Sequence, residues 1–99
     1  MLTITAVIRA KQGHEDALQE ALLDVARYVR ANEPDTLGFF VSRDAADPTV
    51  FTTYERFTDR AAMDRHNGSH AVATFFAIAQ PILAGAVTLV TCEEIFAKA

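Results

Sequence analysis

Residues 33–76 read EPDTLGFFVSRDAADPTVFTTYERFTDRAAMDRHNGSHAVATFF, and the fold turns on this stretch. Two runs rich in β-branched and aromatic residues, Leu37–Arg43 and Thr49–Phe57, flank the polar segment Asp44-Ala45-Ala46-Asp47-Pro48. Side chains of this kind suit a pleated, half-buried surface, so the runs predict two strands joined as a hairpin with a loop of several residues. After Phe57 the period changes. Thr58, with Asp59 behind it, is the expected N-cap of a short helix carrying Ala62, Met63 and His66. Asn67-Gly68 interrupts that helix, and Ser69 is the expected N-cap of a second one running from His70 to about Leu83. Its apolar face is Val72, Phe75, Phe76, Ala79 and Leu83. Pro81 has no N–H to donate and its ring crowds the preceding turn, so the last turn should be distorted. Gly85 is a natural stop.

Outward from this stretch the pattern completes itself. On the N-terminal side, Leu18, Ala21, Leu22, Val25, Tyr28 and Val29 recur at helical spacing in a helix that begins near His14. Glu15 and Asp16 sit in its first turn and Arg27 and Arg30 near its end, each where the helix dipole favours that charge. Asn32-Glu33-Pro34-Asp35 ends it, because the residue before proline avoids the α region. Leu2–Arg9 alternates around Thr3, Ile4, Thr5, Val7 and Ile8 as a first strand, and Lys11-Gln12-Gly13 is a turn. Ala86–Phe96 forms a last strand. The order β-α-β-β-α-β, with the second helical region in two pieces, predicts one α+β domain over residues 1–99, a ferredoxin-like antiparallel sheet with helices on one face. In the last strand Val87 and Leu89 lie on one side and Val90 and Cys92 on the other. A sheet apolar on both faces needs a second cover, and a second copy of the chain is the expected one, giving a homodimer.

Composition narrows the classes of partner. The 99 residues are 51% hydrophobic and 22% charged, which leaves apolar surface for a partner chain in so small a domain. The net charge of −4 and two scattered lysines, Lys11 and Lys98, form no basic footprint, so neither nucleic acid nor an anionic membrane is an expected partner. No apolar run approaches the ~20 residues of a membrane helix. The first residues, MLTITAVIRAKQG, lack the features of a secretory signal, so a cytoplasmic location is expected. Cys92 is the only cysteine, which excludes an intrachain disulfide and a cysteine-based metal cluster. It reads as packing rather than as a nucleophile. With four glycines there is no phosphate-cradling loop or dinucleotide fingerprint. Asn67-Gly68-Ser69 matches the glycosylation acceptor pattern but has no meaning without a secretory signal.

Some residues can carry chemistry. His66 exchanges a proton near neutral pH, so it is either a base or proton shuttle or a side chain that ties the helix break at Asn67-Gly68. His70 follows four positions later, a spacing that binds metal on a continuous helix. The turn between the two histidines separates them, and no metal is expected. By alternation Glu55 shares a face with Phe51, Thr53 and Phe57, where a carboxylate needs a partner. It either orients His66 or a substrate hydroxyl, or makes a buried ion pair or hydrogen bonds to helix N-termini. Tyr54 points to the opposite face, as a hydrogen-bond donor to substrate or as an interface residue. Phe39, Phe40, Phe51, Phe75 and Phe76 are pocket lining, plain core, or both.

Taken together, Glu33, Pro34, Gly38, Asp47, Pro48, Phe51, Tyr54, Glu55, Asp59, Ala62, His66, Ser69 and His70 resemble, in order and spacing, the antibiotic biosynthesis monooxygenase family. The resemblance runs the whole chain. It implies a dimeric α+β barrel, two ferredoxin-like subunits packed sheet to sheet, with a pocket between helices and sheet in each. It further implies a histidine facing that pocket. Members of the family oxygenate anthrones or quinols without a cofactor, degrade haem, or isomerise a small phosphorylated signal molecule. This chain has no tryptophan where haem-degrading relatives carry one, and Phe75 and Phe76 occupy that region, so haem is not an expected cofactor. The expectation is a cofactor-independent monooxygenase that uses molecular oxygen on a small aromatic or quinol-type substrate. His66 and Glu55 are the expected catalytic residues, and Phe40, Phe51, Tyr54, Asn67, His70 and Phe76 the expected substrate contacts. The alternatives are an isomerase of a small oxygenated metabolite and a non-catalytic protein that binds an apolar ligand.

Overall fold

The computed structural model describes residues Met1–Lys98. Four strands, β1 (Leu2–Arg9), β2 (Thr36–Arg43), β3 (Val50–Phe57) and β4 (Thr88–Glu93), form one antiparallel sheet in the order β2-β3-β1-β4. Three α-helices, α1 (Glu15–Asn32), α2 (Arg60–Asn67) and α3 (His70–Ala79), lie with a 3₁₀ turn at Gln80–Ile82. This is the ferredoxin-like α+β arrangement.

The core lies between one face of the sheet and the helices. Ile4, Ala6 and Ile8 of β1 and Phe51, Thr53, Glu55 and Phe57 of β3 are buried on that face, as the two-residue period of a strand requires. Cross-strand register pairs Ile4 with Glu55 and Ile8 with Phe51. Helix α1 lays Leu18, Ala21, Leu22, Val25 and Val29 onto the sheet, where they join Phe75 and Ala79 of α3 in one cluster. A second, smaller cluster of Ile4, Phe57, Ala62 and Met63 sits under α2.

Local chemistry moves several boundaries. The cap of α2 is Asp59, not Thr58: its side chain accepts from the Ala62 N–H at 2.9 Å. A carboxylate one residue later reaches that free N–H equally well and also favours the positive helix end. Ser69 caps α3 by accepting from the Val72 N–H. Helix α3 ends at Ala79 rather than near Leu83, because Pro81 turns the remainder into the 3₁₀ segment. Leu83 instead makes an isolated bridge to Ala10. Strand β4 is shorter than Ala86–Phe96, since only Leu2–Val7 of β1 offers it partners. Tyr28 and Phe76, expected on apolar helix faces, are 36% and 45% exposed. Gly13 holds φ +90 in the turn before α1, a left-handed geometry that side chains resist.

Among the described residues no element covers the other sheet face. Phe40 of β2, Tyr54 of β3 and Val90 of β4 are exposed there. Beyond β4, Ile95 and Phe96 are almost fully exposed. Arg56 grips Glu94 through two contacts of 2.8 and 2.9 Å, Nε to Oε1 and Nη2 to Oε2, and Tyr54 donates to Glu94 Oε1 at 3.3 Å. This cluster ties the end of the chain to the uncovered face. A paired Arg–carboxylate fork is among the more directional polar contacts available to a protein.

Candidate functional site

Three elements converge on His66. The side chain projects from the last turn of α2 into the core and is 4% exposed. Its Nδ1 lies 2.9 Å from Glu33 Oε1, and its Nε2 lies 3.2 Å from Glu55 Oε1. Glu33 is the C-cap residue of α1, and its backbone N–H closes on the Val29 carbonyl. Glu55 comes from the inward face of β3. The rings of Phe39 and Phe57 flank the imidazole at 5.6 and 5.4 Å between centroids.

Hydroxyls complete the carboxylates. Thr53 Oγ1 donates to Glu55 Oε2 at 2.8 Å, and Thr36 Oγ1 donates to Glu33 Oε1 at 2.7 Å. Glu33 Oε2 is buried with no protein hydrogen-bond partner among the described residues. Burial is the largest influence on His66 and works against its charge. The hydrogen bonds and attraction of Glu55, and then of Glu33, outweigh it and hold the imidazole above the usual histidine range.

A cavity of about 70 Å³ opens beside this cluster. His66, Glu55, Thr53 and Asn67 form its polar wall. Phe39, Phe75, Phe76, Ile4, Leu22, Val72, Val87 and Leu89 supply most of the apolar remainder. Apolar walls with a few convergent polar groups are the usual lining of a small-molecule site, and this cavity has that lining at a volume well below the ~300 Å³ where most such sites begin. A larger, open groove of about 550 Å³ runs on the outside between α1 and β2, with Glu33, Pro34, Arg27 and Arg30 among its walls. Its lining is mixed and does not include His66 or Glu55, whereas the smaller cavity is mostly apolar and carries both, so the smaller cavity is the better candidate.

Of the residues singled out in the sequence, the structure brings His66, Glu55, Asn67 and Phe76 to this cavity. It does not bring the other four. Phe40 and Tyr54 lie on the uncovered face, where their rings stack at 6.1 Å between centroids. Alternation from Phe39 and Glu55 sends them there. Phe51 is 1% exposed inside the main core and does not line the cavity. His70 is the exposed first residue of α3, directed away by the Gly68-Ser69 turn. Among the described residues no group of three or more His, Cys, Asp and Glu is arranged to hold a metal ion. No described helix is long and apolar enough to cross a membrane.

Sequence reasoning missed Glu33 and Thr53 as site residues, and it offered Phe39 and Phe75 as pocket lining without separating them from the other phenylalanines. Thr53 was within reach, since it shares the face of Glu55. Phe39 was ambiguous with Phe40, because a register shift between Thr36 and Gly38 obscures the phase of β2. Glu33 lies in the helix-ending Asn-Glu-Pro segment, and its contact with His66 spans 33 residues, which no local pattern reveals.

Comparison with known proteins places these features in context. The family model described as antibiotic biosynthesis monooxygenase matches residues 1–78. No curated protein matches the chain. Among solved structures, PA3566 from Pseudomonas aeruginosa is similar at 26% identity and TM-score 0.87, covering 96% of this chain and 94% of its own. Rv0793 from Mycobacterium tuberculosis aligns at TM-score 0.90 with 18% identity, covering 99% and 98%. A Nitrosomonas europaea protein named for the same family aligns at TM-score 0.89 with 22% identity, covering 97% and 100%. At 18% and 22% identity, the last two likenesses speak for the fold.

The His66 environment has a consequence for stability. A histidine whose folded-state pKa is raised stabilises the fold fully below the unfolded value of about 6.5. That contribution is lost as pH rises through the folded-state value. Urea unfolding of the wild type should therefore show stability that declines above neutral pH, and His66→Gln should lack this component of the decline. Identical pH dependence in the two proteins would contradict the upward shift of the His66 imidazole.

Proposed function

We propose that this chain, which belongs to the antibiotic biosynthesis monooxygenase family, is a cofactor-independent monooxygenase of a small aromatic or quinol-type substrate. The observation that carries this reading is an ionisable histidine, buried between two carboxylates, in the wall of an apolar cavity with phenylalanine lining. An anthrone or quinol passes an electron to oxygen far more readily once it has lost a proton. The His66–Glu55 pair is the acid–base machinery that removes it. Phe39, Phe75 and Phe76 supply the apolar surroundings in which a flat aromatic ring sits against the polar wall. Asn67, which borders the cavity, is the residue to which this reading gives a hydrogen bond to a substrate oxygen. For an anthrone, a methylene becomes a carbonyl, one atom of O₂ is retained in the product and the other leaves as water.

In this reading the protein is cytoplasmic and works as a homodimer. The uncovered sheet face, with Phe40, Tyr54 and Val90 exposed and the apolar Ile95 and Phe96 beyond it, is the surface that a second copy covers. Sedimentation equilibrium should give twice the chain mass, and Phe40→Asp should shift the protein toward monomer. A wild type that remains monomeric would remove the dimer from the reading.

Catalysis is tested by oxygen uptake with a panel of anthrones and reduced quinones, with the metal-free protein and an anaerobic control. Uptake above autoxidation should fall on the order of 10²-fold or more in His66→Ala. Full turnover in that variant would exclude the role given to His66. Product formed equally without oxygen would favour an isomerase instead.

A further inference from the structure

The reading above gives Glu33 no chemical task of its own, yet it is one of two carboxylates that His66 touches. Both ring nitrogens face a carboxylate oxygen, Nδ1 at 2.9 Å and Nε2 at 3.2 Å. A neutral imidazole carries a proton on only one nitrogen. With both carboxylates ionised, it would turn its remaining lone pair toward a negative oxygen inside the core. The arrangement is satisfied when both nitrogens carry protons and the ring is cationic, charge −1 for the three groups together.

We infer that Glu33 is a positioning residue that favours the imidazolium form of His66 by facing its Nδ1, which makes Glu55 the group that accepts the substrate proton. The inference rests on the acid–base reading of the His66–Glu55 pair and divides the work within it. The substrate O–H or C–H bond breaks, its electron pair stays on the substrate, and the proton passes to the Glu55 carboxylate. Glu55 becomes neutral, and the substrate becomes an anion. The His66 cation, no longer balanced by Glu55, then faces that anion across the cavity wall. Molecular oxygen is the oxidant that consumes it. A neutral His66 would offer no such charge, so the pH range of the reaction is set behind the ring, at Glu33.

The surrounding charges leave this task to Glu33 and Glu55. Arg27 and Arg30 of α1 line the outer groove that Glu33 also borders. Arg65 of α2 is turned outward and paired with Asp35 at 2.9 Å. Asp64 of α2 is exposed, as is Asp59 at its cap. Among the described residues only Glu33 and Glu55 lie within ion-pair distance of the imidazole. Thr36 holds Glu33 Oε1, the oxygen that meets Nδ1.

The test is an NMR titration of the His66 Cε1–H in wild type, Glu33→Gln, Glu33→Asp and Thr36→Ala, alongside the pH profile of oxygen uptake with anthrone. Glu33→Gln keeps the size of the side chain and removes its charge. The His66 midpoint should fall in that variant and recover in part with Glu33→Asp. It should rise in Thr36→Ala, where Glu33 loses a competing donor. In kinetics, the alkaline limb of kcat should move to lower pH in Glu33→Gln with KM little changed. Above neutral pH the loss should be on the order of tenfold. A His66 midpoint unmoved in Glu33→Gln and Thr36→Ala would overturn the inference whether or not anthrone is oxidised. Absence of oxygen uptake in the wild type would count against the oxygenase reading and leave the titration to decide the role of Glu33.

Discussion

Two carboxylates and an imidazole share the core of this 99-residue chain, and much of the structure serves to make that tolerable. Charges taken out of water lose several kcal/mol of solvation each, and only close, well-directed partners return it. Removing one partner from such a group leaves an uncompensated charge and costs about 3–5 kcal/mol. The three side chains come from the end of α1, the inner face of β3 and the last turn of α2. Their contact therefore fixes three elements relative to one another. Thr36 and Thr53 add the donors that keep the carboxylates in place. Asp59 and Ser69 cap the helices on either side of the Gly68 break, so the turn that presents His66 is itself held.

The sheet separates two jobs by alternation alone. Along β3, Phe51, Thr53, Glu55 and Phe57 face the helices, whereas Tyr54 and Arg56 face the other way and hold Glu94. One strand thus supplies the inner wall of the cavity and the outer anchor of the chain's end. Phe51 and Phe76 differ by where they sit along the core, not by face. Phe51 lies under α1 in the closed core, and Phe76 stands at the half-open margin of α3 where the cavity begins.

Much of this was legible in the sequence because it depends on period and local chemistry. The alternation in TVFTTYERF places Glu55 inward and Tyr54 outward, and the Asn67-Gly68-Ser69 break separates two helices. Pro81 announces the distorted last turn, although not that α3 gives way to a 3₁₀ segment already at Gln80. What was not legible depends on tertiary contact. Thr58 and Asp59 are both good caps, and only the reach to Ala62 decides between them. Phe39 and Phe40 are interchangeable until the register of β2 against β3 is known. Glu33 reads as a helix-ending residue, and its partnership with His66 exists only after α1 and α2 have packed on the sheet.

The account stands on His66 being held as a cation between Glu33 and Glu55. Nitrogen-15 NMR of the histidine ring in the wild-type protein at neutral pH addresses this directly. Nδ1 and Nε2 should both show the shifts of protonated nitrogens, each with a slowly exchanging proton. A single protonated nitrogen beside a bare one would mean a neutral tautomer and would contradict the central claim.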